Sequence, residues 1–497
     1  MFEQVYDLAV IGGGITGCAI ARDASGRGLS VFLCERGDIG SGSSSATDRL
    51  VHGGLHHLER LEFEKLRRAQ IEAEILMRTA PHLVRPLRFL LPHHSRQWPR
   101  WAIGLGLFAY DHAARRSLPK ARRTDIERAD NDQMLRGLFR HGFAFFDCIA
   151  DDSRLAMVNA LDAHQRGAVI APRTRCVVAE RERGRWRLSL VSERTGEWTV
   201  AFATMLINAG GGEAGAVHDH VIHANRRTAV RVTKASRLVV RSPIAPDRAY
   251  SLPTAGGHIV YAVPHAPGFM LLGSAESRFE GEALSPNVDA REAAYLIDAA
   301  NQYFHDPISA ADIVRGVAGF CVMPEDPAAA HIDYAALVEA PPGSAPLVSV
   351  FGGTLTTFRL VAEEVIDRLS RFHRVGGPWT ASAPLPGGNF PPDSGAPDLC
   401  RAIRAAWPFV PQDLAHRLVL TYGTRAPTIL TGARSLDDLG PWFGAELSAA
   451  EVTFLRRQEW ATTAEDVLWR RTRLGLRLTA AEAEALAGWM AETAVPA

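Results

Sequence analysis

The chain has 497 residues, of which 47% are hydrophobic and 22% charged. At roughly 100–200 residues per domain this is a globular protein of two or three domains, and disorder, collagen-like repeats and coiled coil are excluded. Lys+Arg 55 balance Asp+Glu 55, so no global field draws the chain to nucleic acid, and any attraction to a charged surface must be local.

Six scattered cysteines (Cys18, Cys34, Cys148, Cys176, Cys321 and Cys400) include no C-x-x-C pair. They fit neither a zinc site nor a disulfide-stapled secreted fold, so reduced thiols on the cytosolic side are expected. Residues 1–11 carry Glu3 and Asp7 rather than a basic stretch, which predicts no signal peptide. No run reaches the ~18 apolar residues of a spanning helix.

Asp7–Ile11 reads as a short buried strand, Gly12-Gly13-Gly14 as a tight turn, Ile15–Arg27 as a helix and Ser30–Cys34 as a second strand with Glu35 at its end, one βαβ unit. Residues 62–79 have the spacing of an amphipathic helix, and 153–166 form another. From Ala168 to Ala209 the pattern gives short strands with a turn at Glu193–Gly196, ending in a buried strand that runs into Gly210-Gly211. Arg237–Val240, Ile259–Val263 and Phe269–Leu272 alternate as strands of a second, antiparallel sheet. A strand at Leu347–Phe351 meets Gly352-Gly353 and a helix predicted over Thr356–Ser370. Ala383–Asp398, rich in Pro, Gly and Asn, reads as a linker between residues 1–382 and a helical domain over 399–497.

Gly12-x-Gly14-x-x-Gly17, between a strand and a helix and with Glu35 about twenty residues on, has both the sequence and the context of a dinucleotide fingerprint. Gly12 allows the turn, Gly14 lets the backbone approach a pyrophosphate, Gly17 lets helix and strand pack closely, and Glu35 accepts hydrogen bonds from a ribose. The fingerprint alone does not choose between NAD and FAD. Its place near the N-terminus, with a second glycine-ended strand (Asn208–Gly211) about 200 residues later, is a flavoprotein arrangement.

The segment Ser43–Glu59, containing Leu50-Val51-His52-Gly53-Gly54-Leu55, resembles the FAD-dependent glycerol-3-phosphate dehydrogenases of the aerobic respiratory type. The likeness continues through Asp151–Leu155, Lys234-Ala235-Ser236, Leu272-Gly273-Ser274, Ser349–Thr357 and Leu468–Thr472, and covers residues 5–490. It implies an α/β fold in which a Rossmann-like FAD-binding domain is interleaved with an antiparallel-sheet substrate domain, followed by a helical C-terminal domain. It implies FAD binding through Gly12, Gly13, Gly14, Ile15, Thr16, Gly17, Glu35, Arg36, Ser44, Ser45, Arg49, the turn Leu50 to Gly54 with His52 and Gly53, Val177, Ala209, Gly210, Gly353, Leu355, Thr356 and Thr357. Ser44 and Ser45 are short donors suited to a pyrophosphate. A helix starting near Thr356 would aim its positive end at the flavin edge where charge develops on reduction.

The substrate pocket departs from the family pattern. Family members carry Arg-Tyr where this chain has His56-His57, Lys-Gly-Ser-His where it has Lys234-Ala235-Ser236-Arg237, an arginine at Ala318 and a lysine at Thr354. Losing three cations from one phosphate site removes contacts of roughly 1.5–3 kcal/mol each. Arg237 supplying a cation from a new position, and a smaller or less charged substrate, both account for the change. The expected reaction is oxidation of a secondary alcohol. An arginine stays protonated, so His56 or His57 replaces the family's base, and Lys234, one of three lysines in the chain, is a candidate substrate contact. No ligand set accompanies the histidines at 52, 56 and 57, so no metal is expected.

Residues 81–116 mix Leu87, Phe89, Leu90, Trp98, Trp101, Ile103, Leu105, Leu107 and Phe108 with Arg85, Arg88, Arg96, Arg100, Arg115 and Arg116, the composition of an interfacial helix. The resemblance implies a peripheral enzyme on the inner face of the cell membrane that passes electrons to a quinone, with no nucleic-acid partner and a homodimer left open. Two rival readings stay open: a member retuned to a non-phosphorylated hydroxy or amine substrate, and a flavoprotein without catalysis that serves as a binding subunit.

Overall fold

Strands that alternate along the chain are sorted into two sheets, and the sorting places the loops of one against the face of the other. In a computed structural model, residues 4–54, 62–93, 99–130, 133–224, 228–242, 244–280, 286–325, 333–391 and 394–493 are described. The strands are β1 (Val5–Ile11), β2 (Val31–Cys34), β3 (Leu50–Val51), β4 (Val84–Pro92), β5 (Arg122–Asp125), β6 (His141–Ala150), β7 (Val169–Ala171), β8 (Thr174–Glu182) and β9 (Arg185–Ser192). They continue with β10 (Trp198–Asn208), β11 (Val230–Arg241), β12 (Arg248–Pro253), β13 (Ile259–Ala266), β14 (Phe269–Arg278), β15 (Ile313–Pro324), β16 (Tyr334–Glu339) and β17 (Leu347–Gly352). The helices used below are α1 (Ile15–Gly26), α2 (Phe63–Thr79), α3 (Arg100–His112), α4 (Asp152–Gln165), α5 (Ala290–Asn301) and α6 (Phe358–Leu369). After them come α7 (Ala396–Ala406), α8 (Gln412–Tyr422), α9 (Ala449–Gln458) and α10 (Ala480–Glu492).

The first sheet runs β16-β17-β10-β1-β2-β7, with β17, β10, β1, β2 and β7 parallel and the β8–β9 hairpin added to β10. Leu8–Ile11 of β1 form an unbroken apolar run because both faces are covered there. Leu8 and Val10 join the core beneath α1, α4 and α6, while Ala9 and Ile11 join a separate cluster with Trp186 and Leu188.

The second sheet runs β15-β11-β14-β13-β12-β4-β6-β3, with β5 on β6. Alternation along β11 divides its side chains between two environments. Leu238 and Val240 pack with Leu296 and Ala299 of α5, and Val239 packs on the opposite face with Leu271, Val263 and Leu107 of α3. That opposite face meets the loop after β2: a Cβ built on Gly319 would lie 3.2 Å from Ser43 Cβ.

Helices α7 to α10 enclose a core of their own, docked by buried ion pairs. Arg471 donates to both oxygens of Asp38 at 2.7 and 2.8 Å, Arg173 to both oxygens of Asp466 at 2.8 Å, and Arg154 of α4 pairs with Glu459. Two sequence expectations are refined here. The stretch read as a linker, 383–398, is not free of contacts where it is described. Ala383 O accepts from Arg22, the Leu385 N–H donates to Thr79 O at 2.8 Å, and α7 already begins at Ala396. Its glycines serve close approach, since a Cβ on Gly388 would lie 2.2 Å from Thr79 O. Nor are residues 81–116 one interfacial segment. Leu87, Phe89 and Leu90 are buried in β4, and only α3 keeps an outward apolar stripe, Trp101, Leu105 and Phe108, each at least 60% exposed. Trp98 and Arg96 lie outside the described residues.

Burial alone would raise the Glu459 carboxyl, but Arg154, Arg425 and Arg471 overcome it and hold the group at about 2. The folded value is below the ordinary ~4.3, so this stabilisation is complete above that value and lost as pH falls toward about 2. Glu459→Gln leaves Arg154 buried without its partner and is expected to cost about 3–5 kcal/mol at pH 7 in urea unfolding. The difference from wild type should shrink below about pH 4. A constant difference would place the stability elsewhere.

Candidate active site

The glycine turn is built by close approach. Gly12, at φ +113°, cannot carry a side chain: a Cβ would lie 2.4 Å from Ala209 O, and one on Gly17 would lie 1.9 Å from Gly12 O. Only glycines let α1 start flush against the β1–β10 pair. On the open side, the Ile15 N–H donates to Ser44 Oγ at 2.9 Å, which brings the Ser43–Ser45 turn to the α1 N-terminus. Glu35 ties the other side, its two oxygens accepting from Gly13 N–H at 2.6 Å and Gly37 N–H at 2.7 Å. Burial raises the Glu35 carboxyl, and these two N–H groups oppose the shift.

These residues line a cavity of about 820 Å³. Of the residues expected to bind FAD, Gly12, Gly14, Glu35, Arg36, Ser44, Ser45, Arg49, Val177, Ala209 and Gly210 line it. Val177 falls at a bulge between Cys176 and Val178, so its backbone leaves the β8–β9 ladder. The donor set suits a dinucleotide: a helix N-terminus and short hydroxyls for a pyrophosphate, and a buried carboxylate for a ribose. Arg36 is paired with Glu213 across the mouth.

The remaining expected residues gather at a neighbouring junction. The His52 N–H donates to Thr356 Oγ1 at 3.2 Å, a Cβ on Gly353 would lie 3.5 Å from Thr16 Oγ1, and Leu50 belongs to β3. Gly54 and Gly353 have φ of +74° and +95°. Leu355 is buried, and α6 starts at Phe358, two residues after the predicted Thr356, because Thr354 to Thr357 form a hydrogen-bonded turn. Gly13, Ile15 and Gly17 face inward and shape the turn.

The candidate catalytic residues separate. His56 and His57 lie outside the described residues. Lys234 sits on the α5 face of β11, its ammonium 2.9 Å from Glu292 and 3.2 Å from Asn287 O, so its charge is balanced behind the sheet and it does not line the cavity. Arg237 sits on the opposite face and does point at the loop after β2, but Asp48 holds its guanidinium with two hydrogen bonds, at 2.6 and 3.1 Å. It is not a free cation. Tyr261, Gly273, Arg237 and Val317 form one row across four strands on this face, and the Arg237 side chain lies over Gly273, where a Cβ would be 2.6 Å from Arg237 Cγ. Ala318 pairs with Ser236, in the register of the α5 face.

Sequence reasoning missed Arg315, His265 and Arg473, which line the same cavity beside the expected Arg49. Arg315 stacks 4.0 Å over the Trp469 ring with no carboxylate within 4 Å among the described residues. Arg49 is buried, donating to Ala150 O at 3.1 Å and His265 O at 2.9 Å, and Arg473 pairs with Asp151 and Asp152. Burial, with these three arginines around it, pushes the His265 imidazole well below its ordinary range. The only sequence signal was the Leu468–Thr472 landmark beside them. Among the described residues no group of His, Cys, Asp or Glu could hold a metal ion. Gly12→Ala is expected to leave purified protein with less than about a tenth of the wild-type flavin, because the added methyl displaces Ala209 and the turn together. Wild-type flavin content would dissociate this turn from cofactor binding.

Comparison with known proteins agrees with this site. Residues 7–368 match the family described as FAD dependent oxidoreductase, and residues 378–494 match the C-terminal domain of alpha-glycerophosphate oxidase. The chain is 40% identical over 482 residues to a glycerol-3-phosphate dehydrogenase of Pseudomonas aeruginosa, covering 96% of this chain and 93% of that one. It is 38% identical over 492 residues to a D-erythritol 1-phosphate dehydrogenase of Brucella abortus (98% of each) and 36% identical over 495 residues to the aerobic glycerol-3-phosphate dehydrogenase of Escherichia coli (98% of each). In fold it is similar to the glycerol-3-phosphate dehydrogenase of Bacillus halodurans complexed with FAD, at a TM-score of 0.77 and 24% identity over 99% of this chain and 91% of that one. With the glycine cradle, the interleaved second sheet and the C-terminal helices all in place, the chain belongs to the FAD-dependent oxidoreductase family, in the branch that carries the alpha-glycerophosphate oxidase C-terminal domain.

Proposed function

We propose that the protein is a FAD-dependent dehydrogenase that oxidises a secondary alcohol of a polyol phosphate, sn-glycerol 3-phosphate or a longer homologue, to the ketone. The observation that carries the reading is the cavity that runs from the glycine cradle to Arg49, Arg315 and Arg473, joined to full-length likeness to dehydrogenases of glycerol 3-phosphate and erythritol 1-phosphate. FAD, when bound, accepts the hydride from the carbinol carbon. Gly12, Gly14, Ser44 and Glu35 would hold its pyrophosphate and ribose. The turns at 50–54 and 353–357 would hold the flavin, with the α6 N-terminus favouring the negative charge of its reduced form.

The chain must also take the hydroxyl proton. His56 or His57, outside the described residues, is the proposed base, since Arg237 stays protonated and is neutralised by Asp48. With Arg237 committed, the charge for the phosphate comes from elsewhere in the cavity, and Arg315 is the cation best placed to give it: it is exposed, lies over the Trp469 ring and, among the described residues, has only the longer-range fields of Glu465 and Arg470 acting on it. Arg315→Ala should raise KM for glycerol 3-phosphate about tenfold or more with a smaller change in kcat. An unchanged KM would move the phosphate elsewhere and favour a non-phosphorylated substrate. Steady-state assays with glycerol 3-phosphate, erythritol 1-phosphate and glycerol, coupled to a soluble quinone, test the substrate class, and peroxide release in place of quinone reduction would favour an oxidase.

Electrons passing to a quinone require a protein at the membrane surface. No described helix is long and apolar enough to cross a membrane, but Trp101, Leu105 and Phe108 project from one side of α3 near Lys120, Arg122 and Arg123. This pattern suits an interfacial helix on the inner face of the cell membrane. Replacing the three by Ser should reduce sedimentation with phosphatidylglycerol-containing vesicles at least about tenfold, since each apolar side chain contributes roughly 1.5–3 kcal/mol when buried. Unchanged sedimentation would assign the stripe to another partner, such as a second copy of the chain.

A further inference from the structure

The turn at 50–54 is held by a polar chain that the fold keeps dry. Gly53 N–H donates to Tyr110 Oη at 2.9 Å, and Tyr110 Oη donates in turn to Asp147, 2.7 and 2.8 Å from its two oxygens. Arg116 closes the chain, 3.2 Å from Asp147 and 2.6 Å from Phe146 O, with its guanidinium 4.9 Å from the Tyr110 ring. Tyr110 is fully buried and Asp147 is 5% exposed. Gln70 of α2 donates to Tyr110 O at 2.6 Å and fixes the helix end that carries the phenol. The fit is tight: a Cβ on Gly53 would lie 2.8 Å from Leu66 Cδ1 and 2.9 Å from Tyr110 Oη.

A carboxylate in the middle of an apolar strand is costly unless it is hydrogen-bonded or paired, and Asp147, which shares its face of β6 with Phe143, Phe145 and Ile149, is held by Tyr110 and Arg116. We propose that Tyr110 and Asp147 are positioning residues for the flavin: they take the Gly53 N–H out of the cofactor's reach and fix the direction in which the rest of the 52–54 turn faces the isoalloxazine. This inference rests on the reading that the 50–54 turn holds the flavin. The direction of the chain matters. A backbone N–H can only donate, so Tyr110 Oη accepts from Gly53 and gives its own proton to Asp147, a bond that is strongest when Asp147 is ionised.

Burial raises the Asp147 carboxyl to about 7, against the pull of Arg116 and of the Tyr110 hydroxyl. The other charged group acting on it is Asp111, which lies 3.4 Å from Arg116; burial and then Asp147 in turn raise the thiol of Cys148, the next residue on β6. Protonated, Asp147 keeps an acceptor oxygen for Tyr110 but loses the charge that strengthens the bond, and the hold of Tyr110 on the Gly53 N–H loosens.

The test is the absorbance and fluorescence of bound flavin in purified holoenzyme between pH 5.5 and 8.5. Wild type should show a spectral transition near neutrality, and Asp147→Asn, which accepts from Tyr110 but cannot ionise, should lose it. Tyr110→Phe, which keeps the ring and orphans the Gly53 N–H, should weaken FAD binding by about five- to thirtyfold in equilibrium dialysis. A wild-type transition that survives in Asp147→Asn overturns the proposal. So does wild-type affinity and spectrum in Tyr110→Phe. Should Tyr110→Phe not fold, the Asp147→Asn titration decides alone. If wild type itself retains no FAD, the cofactor reading fails rather than this one.

Discussion

Glu35 is the point on which the site depends. Its carboxylate reaches back across the β1–α1 turn to Gly13 N–H and forward to Gly37 N–H, so one side chain fixes both the glycine turn and the start of the loop after β2. That loop carries Asp38 into the C-terminal helices, where Arg470 and Arg471 hold it. It then brings Ser44 to the α1 N-terminus and Asp48 to the second sheet. The cradle, the C-terminal helices and the substrate face are thus placed by about a dozen consecutive residues anchored at one buried carboxylate.

The same loop explains why the pocket does not follow the family's charge pattern. A cation at position 237 is balanced before any substrate arrives, because Asp48 faces it from the loop. Lys234 is balanced by Glu292 on the far side of β11. Counting cations along a strand says little until the alternation of the strand and its carboxylates are known, since a paired arginine in a half-buried site attracts an anion far less than a free one. The remaining positive edge is elsewhere in the cavity, where an arginine lies over a tryptophan contributed by the C-terminal domain. A substrate that meets it is a chain with an anionic terminus, in keeping with polyol phosphates.

Much of this architecture was legible in the sequence. The first βαβ unit, the helix over residues 63–79, the strands around 237, 260 and 270 and the C-terminal helices carry strong periodicity or glycine punctuation, and the folded chain reproduces them. The glycine turn was legible for the same reason: at 12 and 17 no side chain fits. What stayed hidden depended on pairing across long separations. Asp48 and Arg237 are 189 residues apart, and Gly53 and Tyr110 are 57 apart. The Pro/Gly-rich stretch at 383–398 read as a linker because composition records backbone flexibility, whereas here it records close backbone contact. Residues 81–116 read as one surface because the apolar residues of a buried strand and of an exposed helix face are alike in composition. The one faint signal left unread was Asp147, a charge inside an apolar strand.

The central claim is that this flavin site removes a hydride from a polyol phosphate. It is tested most directly by mixing the holoenzyme anaerobically with sn-glycerol 3-phosphate or D-erythritol 1-phosphate, without an electron acceptor, and following the flavin absorbance. The account predicts rapid bleaching by at least one of them and none by unphosphorylated glycerol or erythritol. Bleaching by the unphosphorylated polyols or by an amine, with the phosphates inert, would contradict it, as would a flavin that none of these compounds reduces.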